Sequence, residues 1–421
     1  MKVVGIIAEF NPFHNGHKYL IEKAKELTGA DYAIIVMSGD FTQRGTPAIA
    51  NKFLRAEMAL LNGADLVLEL PAHYACSSAE FFAQGAVTLL NKLGVVDYLC
   101  FGSESGDIAK LYTVAKILAD EPQEYKQQLK HFLKRGLSYP LARNQALEMT
   151  IPDFVNYEDV IKTPNNILGI EYLKALIRSN SSITPYTVHR IGSGYHDYKL
   201  NVAYSSAIAI RQSLMLGNSL ARIEDQVPKN CRPLLLDNFM KKYPIFLDDF
   251  STILKYRLLT EVSNGFEKYA DISPDLSAKI KKNVYKVDTI NNFCDLLKSK
   301  DLTHARINRC LGHILLDIRQ DDMEALKENG GIHYARVLGF LKDSDSLLTK
   351  IKKNTSVPLV TKLADAQKLL TAEGMEQLEK DVHVSHIYEM ISSSKFNHPF
   401  QNEYTQKIVK LQRKKDDKKN K

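Results

Sequence analysis

At 421 residues the chain exceeds one average domain, so two or three are expected, and its 44% hydrophobic and 25% charged residues suit a soluble globular protein. No run approaches the eighteen or so apolar residues of a membrane span, and Met1 leads straight into a strand pattern, so neither a membrane helix nor a secretory signal is expected. The net charge is a modest +7, and the five scattered cysteines (Cys76, Cys100, Cys231, Cys294, Cys310) form no CxxC pair, which argues against a disulfide framework or zinc site and for a cytoplasmic location.

Residues 2–8, 32–37, 64–70 and 96–101 are short, nearly continuous runs of Val, Ile and Leu, as in strands buried on both faces of a parallel sheet. Helical patterns fall between them at 15–28, 51–62 and 79–93, with apolar residues every three to four positions (Phe53, Met58, Leu60 and Leu61; Phe81, Phe82, Val87 and Leu90). Strict alternation of strand and helix predicts right-handed crossovers and a Rossmann-like α/β layer. Ligands in such layers lie outside the carboxyl ends of the strands, where this chain carries Glu9-Phe10-Asn11-Pro12, Ser38-Gly39-Asp40, Pro71 and Phe101-Gly102-Ser103. Residues 107–150 read as polar helices inserted over the sheet, a fifth strand is predicted at 184–191 and a helix at 205–216. Beyond about 225 the pattern turns mainly helical, over 246–260, 275–298, 303–318, 321–329 and 360–372, with no internal repeat. Basic residues concentrate in this half and in the Lys-rich end from Lys407, which reads as disordered.

The chemistry concentrates in His14-Asn15-Gly16-His17, placed after a strand and opening a helix. A helix start there aims unpaired N–H groups and a positive dipole end at anything anionic. Gly16 lets a phosphate approach the backbone, and His14 and His17, three apart, share one face from which both can donate to a phosphorus centre as its charge grows. The competing reading is a pair of surface histidines on an ordinary first turn. Gly102 ends the fourth strand, where a side chain would obstruct an adenosine. Asn165 is either a helix cap or a reader of adenine or ribose, and Arg190 is either a surface residue or a planar fork for phosphate. Lys52 is read as either a phosphate partner or a helix-surface lysine.

The segments Gly5-Ile-Ile-Ala-Glu-Phe-Asn-Pro-Phe-His-Asn-Gly-His17, Ser38-Gly-Asp-Phe-Thr-Gln-Arg-Gly-Thr-Pro-Ala48, Pro164-Asn-Asn-Ile-Leu-Gly-Ile-Glu171 and Tyr204-Ser-Ser-Ala-Ile-Ala-Ile-Arg211 resemble the bacterial tRNA(Met) cytidine acetate ligases of the HxGH nucleotidyltransferase superfamily. Tyr334-Ala-Arg-Val-Leu-Gly-Phe340 extends the resemblance into the helical half. The resemblance implies a two-step reaction: acetate and ATP give acetyl-adenylate and pyrophosphate, and the acetyl group passes to N4 of the wobble cytidine of elongator tRNA(Met). It implies His14 and His17 as catalytic residues, and an ATP-binding segment of Ile7, Ala8, Glu9, Phe10, Asn11, Pro12, Phe13, His14, Asn15, Gly16, His17, Lys18, Tyr19 and Leu20. Gly102, Asn165 and Arg190 would be further ATP contacts. Ser205 and Ser206 resemble the superfamily's second phosphate motif, with Ala207 where Thr is common. The synthetase Lys-Met-Ser-Lys-Ser loop is missing, which argues against a tRNA synthetase. Arg44 or Asn11 is expected to bind the acetate carboxylate. Mg²⁺ is expected to accompany ATP, without a metal site of the protein's own.

For the tRNA, the expectation is a basic ridge on the 303–318 helix, Arg306, Arg309 and His313, joined by Lys281 and Lys282. The resulting division is a catalytic domain at 1–225, a helical tRNA-binding domain at 226–402 and a basic disordered tail at 403–421. His383 and His386 read as surface histidines, and no obligate protein partner is evident. Two alternatives stay open: an adenylyltransferase acting on a phosphorylated cofactor precursor, and a non-catalytic RNA-binding protein with a degenerate nucleotide site.

Overall fold

The computed structural model describes residues 1–191, 200, 204–217, 220–299, 302–328 and 331–413. The four early apolar runs form β1 (Val3–Ala8), β2 (Tyr32–Ser38), β3 (Leu66–Leu70) and β4 (Tyr98–Ser103), and β5 spans Thr184–His189. These five strands are parallel, in the order β5-β4-β1-β2-β3. The chain steps from β1 to β3 in one direction and then returns to place β4 on the other side of β1. The order therefore reverses between β1 and β4, and the crevice at their carboxyl ends is where such sheets hold ligands.

Helices cover both faces because the strands are apolar on both sides. Asn15–Thr28 and Lys52–Leu61 bury Ile21, Ala24, Leu54 and Met58 against one face, and Ala79–Leu93 and Pro164–Arg178 bury Phe82, Leu90, Leu173 and Leu176 against the other. The expected insertion at 107–150 is three helices, Ile108–Asp120, Gln123–Lys134 and Tyr139–Thr150. The first is part of the layer rather than an addition over it, since Leu111, Val114, Ala115 and Leu118 lie in the main core. Among the described residues no helix is long and apolar enough to cross a membrane.

The second half departs from expectation in three places. Residues 226–402 are not wholly helical: β6 (Ala335–Leu341) pairs antiparallel with β3, and β7 (Leu359–Val360) pairs with β6. The expected tail is ordered over its first part, where β8 (Val409–Leu411) also pairs with β6, while 414–421 lies outside the described residues. Among the described residues the sheet thus has eight strands and runs across both expected boundaries at 225 and 402. Ala335–Leu341 is a buried apolar run like the early strands, and the Lys-rich composition beyond 407 hid the Val409–Leu411 segment that pairs beside it. The helix expected at 360–372 is instead a short strand and a 3₁₀ turn (Leu363–Lys368), followed by the 25-residue helix Ala372–Phe396. That helix buries Gln377, Asp381, Ser385 and Ser392 among Leu378, Val382, Val384 and Tyr388, so it shows no clean apolar stripe in sequence.

One of those buried polar groups, Ser385, joins an ion cluster built around Lys52. Lys52 is fully buried, neither a phosphate partner at the surface nor a solvated lysine. Its Nζ lies 2.8 Å from Glu69, 2.5 Å from Glu403, 3.8 Å from Asp40 and 2.7 Å from Ser385 Oγ. Arg336 on β6 pairs with Glu69 at 3.0 Å and Glu403 at 2.6 Å. Burial alone would raise the Glu403 carboxyl, but Lys52 and Arg336 outweigh it and hold it down to about 2. The stability this pairing provides is therefore present above the ordinary glutamate range and is lost as pH falls from about 4.5 toward 2. Arg55, also fully buried, donates to the carbonyls of Glu9, Ser38, Gly39 and Ala50, tying the ends of β1 and β2 together.

The 304–316 helix (His304–Leu316) approaches the 41–47 loop backbone to backbone at two glycines. Gly45 has φ +69, and a Cβ there would lie 2.6 Å from Arg309 Cα; a Cβ on Gly312 would lie 2.8 Å from Gly45 O. No side chain fits on either glycine without separating the two segments.

Truncating Glu403 leaves two buried cations short of an anion, and breaking a buried pair this way typically costs about 3–5 kcal/mol. Glu403→Ala should lower the urea midpoint accordingly, with an unchanged midpoint contradicting the role given to the C-terminal segment.

Candidate active site

A cavity of about 470 Å³ opens at the β1/β4 crevice. Its floor is Ile7, Ala8 and Glu9 from β1 and its end, with Phe101 and Gly102 from β4. Phe10, at φ 49, turns the chain so that its ring packs edge-on against Phe13 and His17, both at 4.8 Å. Helix Asn15–Thr28 then starts at His14, whose side chain is its cap.

The two histidines lock each other. His14 Nδ1 accepts from Gly16 N (3.1 Å), His17 Nδ1 accepts from His14 N (3.2 Å), and the rings stack with centroids 3.7 Å apart. A ring nitrogen that accepts carries no proton, so each neutral imidazole holds its proton on Nε2. Burial, then the charges of Arg190 and Arg211, push His14 down to about 3; burial, His14 and Arg190 push His17 well below its ordinary value. Both rings are therefore neutral at pH 7 and offer Nε2–H donors to the cavity they line. The unfolded chain protonates His14 below about 6.5 and the folded chain only near 3. Stability on this account thus falls with acid, by about 1.4 kcal/mol per pH unit across that window. Gly16 also makes room for the neighbouring ring: a Cβ there would sit 2.9 Å from His14 Cε1.

Around the two rings the structure gathers Asn11, Arg44, Gly102, Asn165, Arg190 and Ser206 on the main cavity, with Gln43, Phe82, Tyr172 and Arg211 that residue spacing did not single out as contacts. Leu20 lines it as well, and Gly16, Tyr19 and Ser205 line a smaller annex of about 40 Å³ shared with His14, His17 and Arg190. Ser206 Oγ caps helix Ala207–Met215 by accepting from Ala209 N at 3.1 Å, and Ser205 N donates to Gln226. Arg211 donates to Asn11 O at 2.6 Å, and Asn11 Oδ1 accepts from Ile49 N at 2.9 Å, so Asn11 holds loops together as well as facing the cavity. Glu9 Oε1 accepts from Gln43 N, which fixes the loop bearing Arg44.

Four residues of the 7–20 segment line neither space. Phe13 is buried in the core, and Pro12 follows Asn11 through a cis peptide bond. Asn15 donates to Asp225 O, and Lys18 pairs with Glu22 at the surface. Asn165 is not a cap: the cap of helix Pro164–Arg178 is Thr163, and Asn165 Nδ2 instead donates to Glu104 Oε1 at 2.6 Å. Glu104 went unnoticed in sequence, where its one signal is its place two residues beyond Gly102 at the end of β4.

A model of the HIGH nucleotidyltransferases matches residues 1–403. The tRNA(Met) cytidine acetate ligase of Acetivibrio thermocellus is 40% identical over 97% of this chain and all of that protein, and that of Thermoanaerobacter sp. strain X514 is 42% identical over 95% of this chain and 99% of that protein. The chain belongs to the tRNA(Met) cytidine acetate ligase family. The crystal structure of apo Thermotoga maritima TmcAL superposes with a TM-score of 0.91 at 32% identity, covering 98% of this chain and all of that one. The same protein bound with alpha-thio ATP gives 0.89 at 33% identity over the same shares.

The family's RNA substrate directs attention to the basic residues of the second half. Arg306 and Arg309 are half-buried on the 304–316 helix, with Arg309 Nε 2.8 Å from Asp271, and Lys281 and Lys282 are exposed at the end of helix Pro274–Asn283. His313 does not belong to that ridge. It is buried, its ring nitrogens lie 2.8 Å from Ala270 O and Cys76 O, and burial lowers its pKa. His383 is exposed, whereas His386 is half-buried and accepts from Glu403 N at 3.0 Å.

Gly16→Ala separates packing from chemistry. Alanine favours the helix by up to about 1 kcal/mol, but displacing the His14 cap costs about as much, so the thermal midpoint should change little. The displaced His14 ring should cost on the order of 10²-fold in turnover, as a 1 Å misplacement does. A fully active variant would show that the ring's seat on Gly16 is dispensable.

Proposed function

We propose that the chain activates acetate with ATP to acetyl-adenylate and passes the acetyl group to N4 of the wobble cytidine, C34, of elongator tRNA(Met). The observation that carries the chemical step is the pair of neutral, stacked imidazoles with their Nδ1 atoms satisfied by backbone. Their Nε2–H groups suit the non-bridging oxygens of an α-phosphate, where negative charge grows in the transition state. Arg190 and Arg211, with the starts of helices Asn15–Thr28 and Ala207–Met215, suit the remaining phosphates. Mg²⁺ would arrive on the phosphates and shield them from the incoming carboxylate; Glu9 is the carboxylate among the cavity's lining residues.

Acetate attacks the α-phosphorus in line and pyrophosphate leaves, a step governed by positioning and charge rather than proton transfer. Arg44 is the better partner for the carboxylate, because a guanidinium offers charge and a planar fork of donors, whereas Asn11 offers a neutral amide whose Oδ1 is already held by Ile49 N. In the second step N4 attacks the acetyl carbon and AMP departs. The docking of Gly45 on Gly312 supports a path for the acceptor, since it sets the helix of Arg306 and Arg309 directly behind the loop of Arg44. Lys281 and Lys282 extend that surface.

His17→Ala should slow acetate-dependent exchange of pyrophosphate into ATP by about 10²–10³-fold, the size of a lost oxyanion donor, with tRNA binding nearly unchanged. Equal loss of both would contradict the assigned role. Exchange that proceeds as fast without acetate would remove the ligase reading altogether. Arg306→Ala with Arg309→Ala should weaken tRNA binding and flatten its salt dependence by roughly one unit of slope for each RNA phosphate no longer neutralised; an unchanged slope would place the RNA elsewhere.

A further inference from the structure

Besides Ala79–Leu93, which is capped by Ser78 Oγ, three helices begin at the wall of the main cavity: Asn15–Thr28, Pro164–Arg178 and Ala207–Met215. Two are capped by neutral groups, His14 Nδ1 and Ser206 Oγ, so their positive ends stay attractive to phosphate. The third is different. Its cap residue Thr163 makes no side-chain cap bond, and the carboxylate of Glu104 takes that place from the end of β4. Glu104 Oε2 accepts from Asn166 N at 2.9 Å, and Oε1 accepts from Asn165 N at 3.4 Å and from Asn165 Nδ2 at 2.6 Å. The clasp is reciprocal, because Asn166 Oδ1 accepts from Ser105 N at 3.1 Å.

Two consequences follow from the chemistry of a carboxylate. First, an anion already occupies this helix start, which disfavours a triphosphate there and favours the neutral end of a nucleotide. Second, a carboxylate only accepts, so the Asn165 amide must turn its NH₂ toward Glu104, and its Oδ1 is the acceptor it offers to the cavity. Phe101, Pro164, Ile167 and Leu168 line the cavity beside it, apolar surface that suits the face of a base better than a ribose.

We infer that Glu104 is a positioning residue for base recognition: it holds the Asn165 amide so that Oδ1 accepts from the 6-amino group of adenine. This rests on the reading that Asn165 faces bound ATP. Glu104 itself touches no substrate.

Pyrophosphate exchange with ATP and with purine riboside triphosphate, which lacks the 6-amino group, tests the inference in the full-length protein. The parent should prefer ATP by about tenfold in KM, the scale of one hydrogen bond. Glu104→Ala should abolish most of that preference by raising KM for ATP, leaving kcat and the KM for acetate within about twofold. Glu104→Gln, which keeps an acceptor oxygen, should retain most of the preference. Adding Glu104→Ala to Asn165→Ala should cost little more than Asn165→Ala alone. If Asn165→Ala loses the preference but Glu104→Ala keeps it, the inference about Glu104 is wrong while the nucleotide reading stands. If Asn165→Ala keeps it, the nucleotide reading of Asn165 fails first.

Discussion

The site depends on a reciprocal lock between His14 and His17 at the start of one helix. Each ring spends its Nδ1 on a backbone N–H, and each is thereby held as the Nε2–H tautomer. The rings stack, Phe10 and Phe13 pack against His17, and Gly16 leaves space for His14. Burial first, and then the charge of Arg190 near both rings and of Arg211 near His14, makes protonation costly. The result is a pair of fixed donors that need no reorganisation when charge develops on a phosphate. An imidazolium pair would add charge but would break both backbone bonds, because a doubly protonated ring has no acceptor.

The remainder of the molecule keeps the loops around this lock in place. Arg55 gathers carbonyls from the ends of β1 and β2, and the buried cluster of Lys52, Glu69, Arg336 and Glu403 joins β3, β6 and the C-terminal segment beneath the 41–47 loop. That loop is clamped on its other side by the Gly45–Gly312 contact. The second half is thus built against the loop that carries Arg44 at the cavity wall.

Much of this was legible in sequence because its cause is local. Doubly buried strands read as apolar runs, and β1 to β5 appear within a few residues of their expected bounds. The His-Asn-Gly-His turn declared itself as a helix start. Contacts between distant segments were not legible. Lys52 looks like any helix lysine until Glu403, far along the chain, is folded against it, and Glu104 carries no motif of its own. The 372–396 helix escaped because its buried face mixes polar with apolar residues, and His313 was misplaced on the exposed ridge because its partners are backbone carbonyls of other segments.

The neutral Nε2–H state of both rings can be measured directly by ¹⁵N NMR of histidine-labelled protein, with His14→Gln and His17→Gln variants giving the assignments. Both residues should show an unprotonated Nδ1 and a protonated Nε2 from about pH 8 down to about pH 5, below the ordinary histidine range. Titration of either ring with a midpoint near 6.5, or the opposite tautomer, would contradict the account.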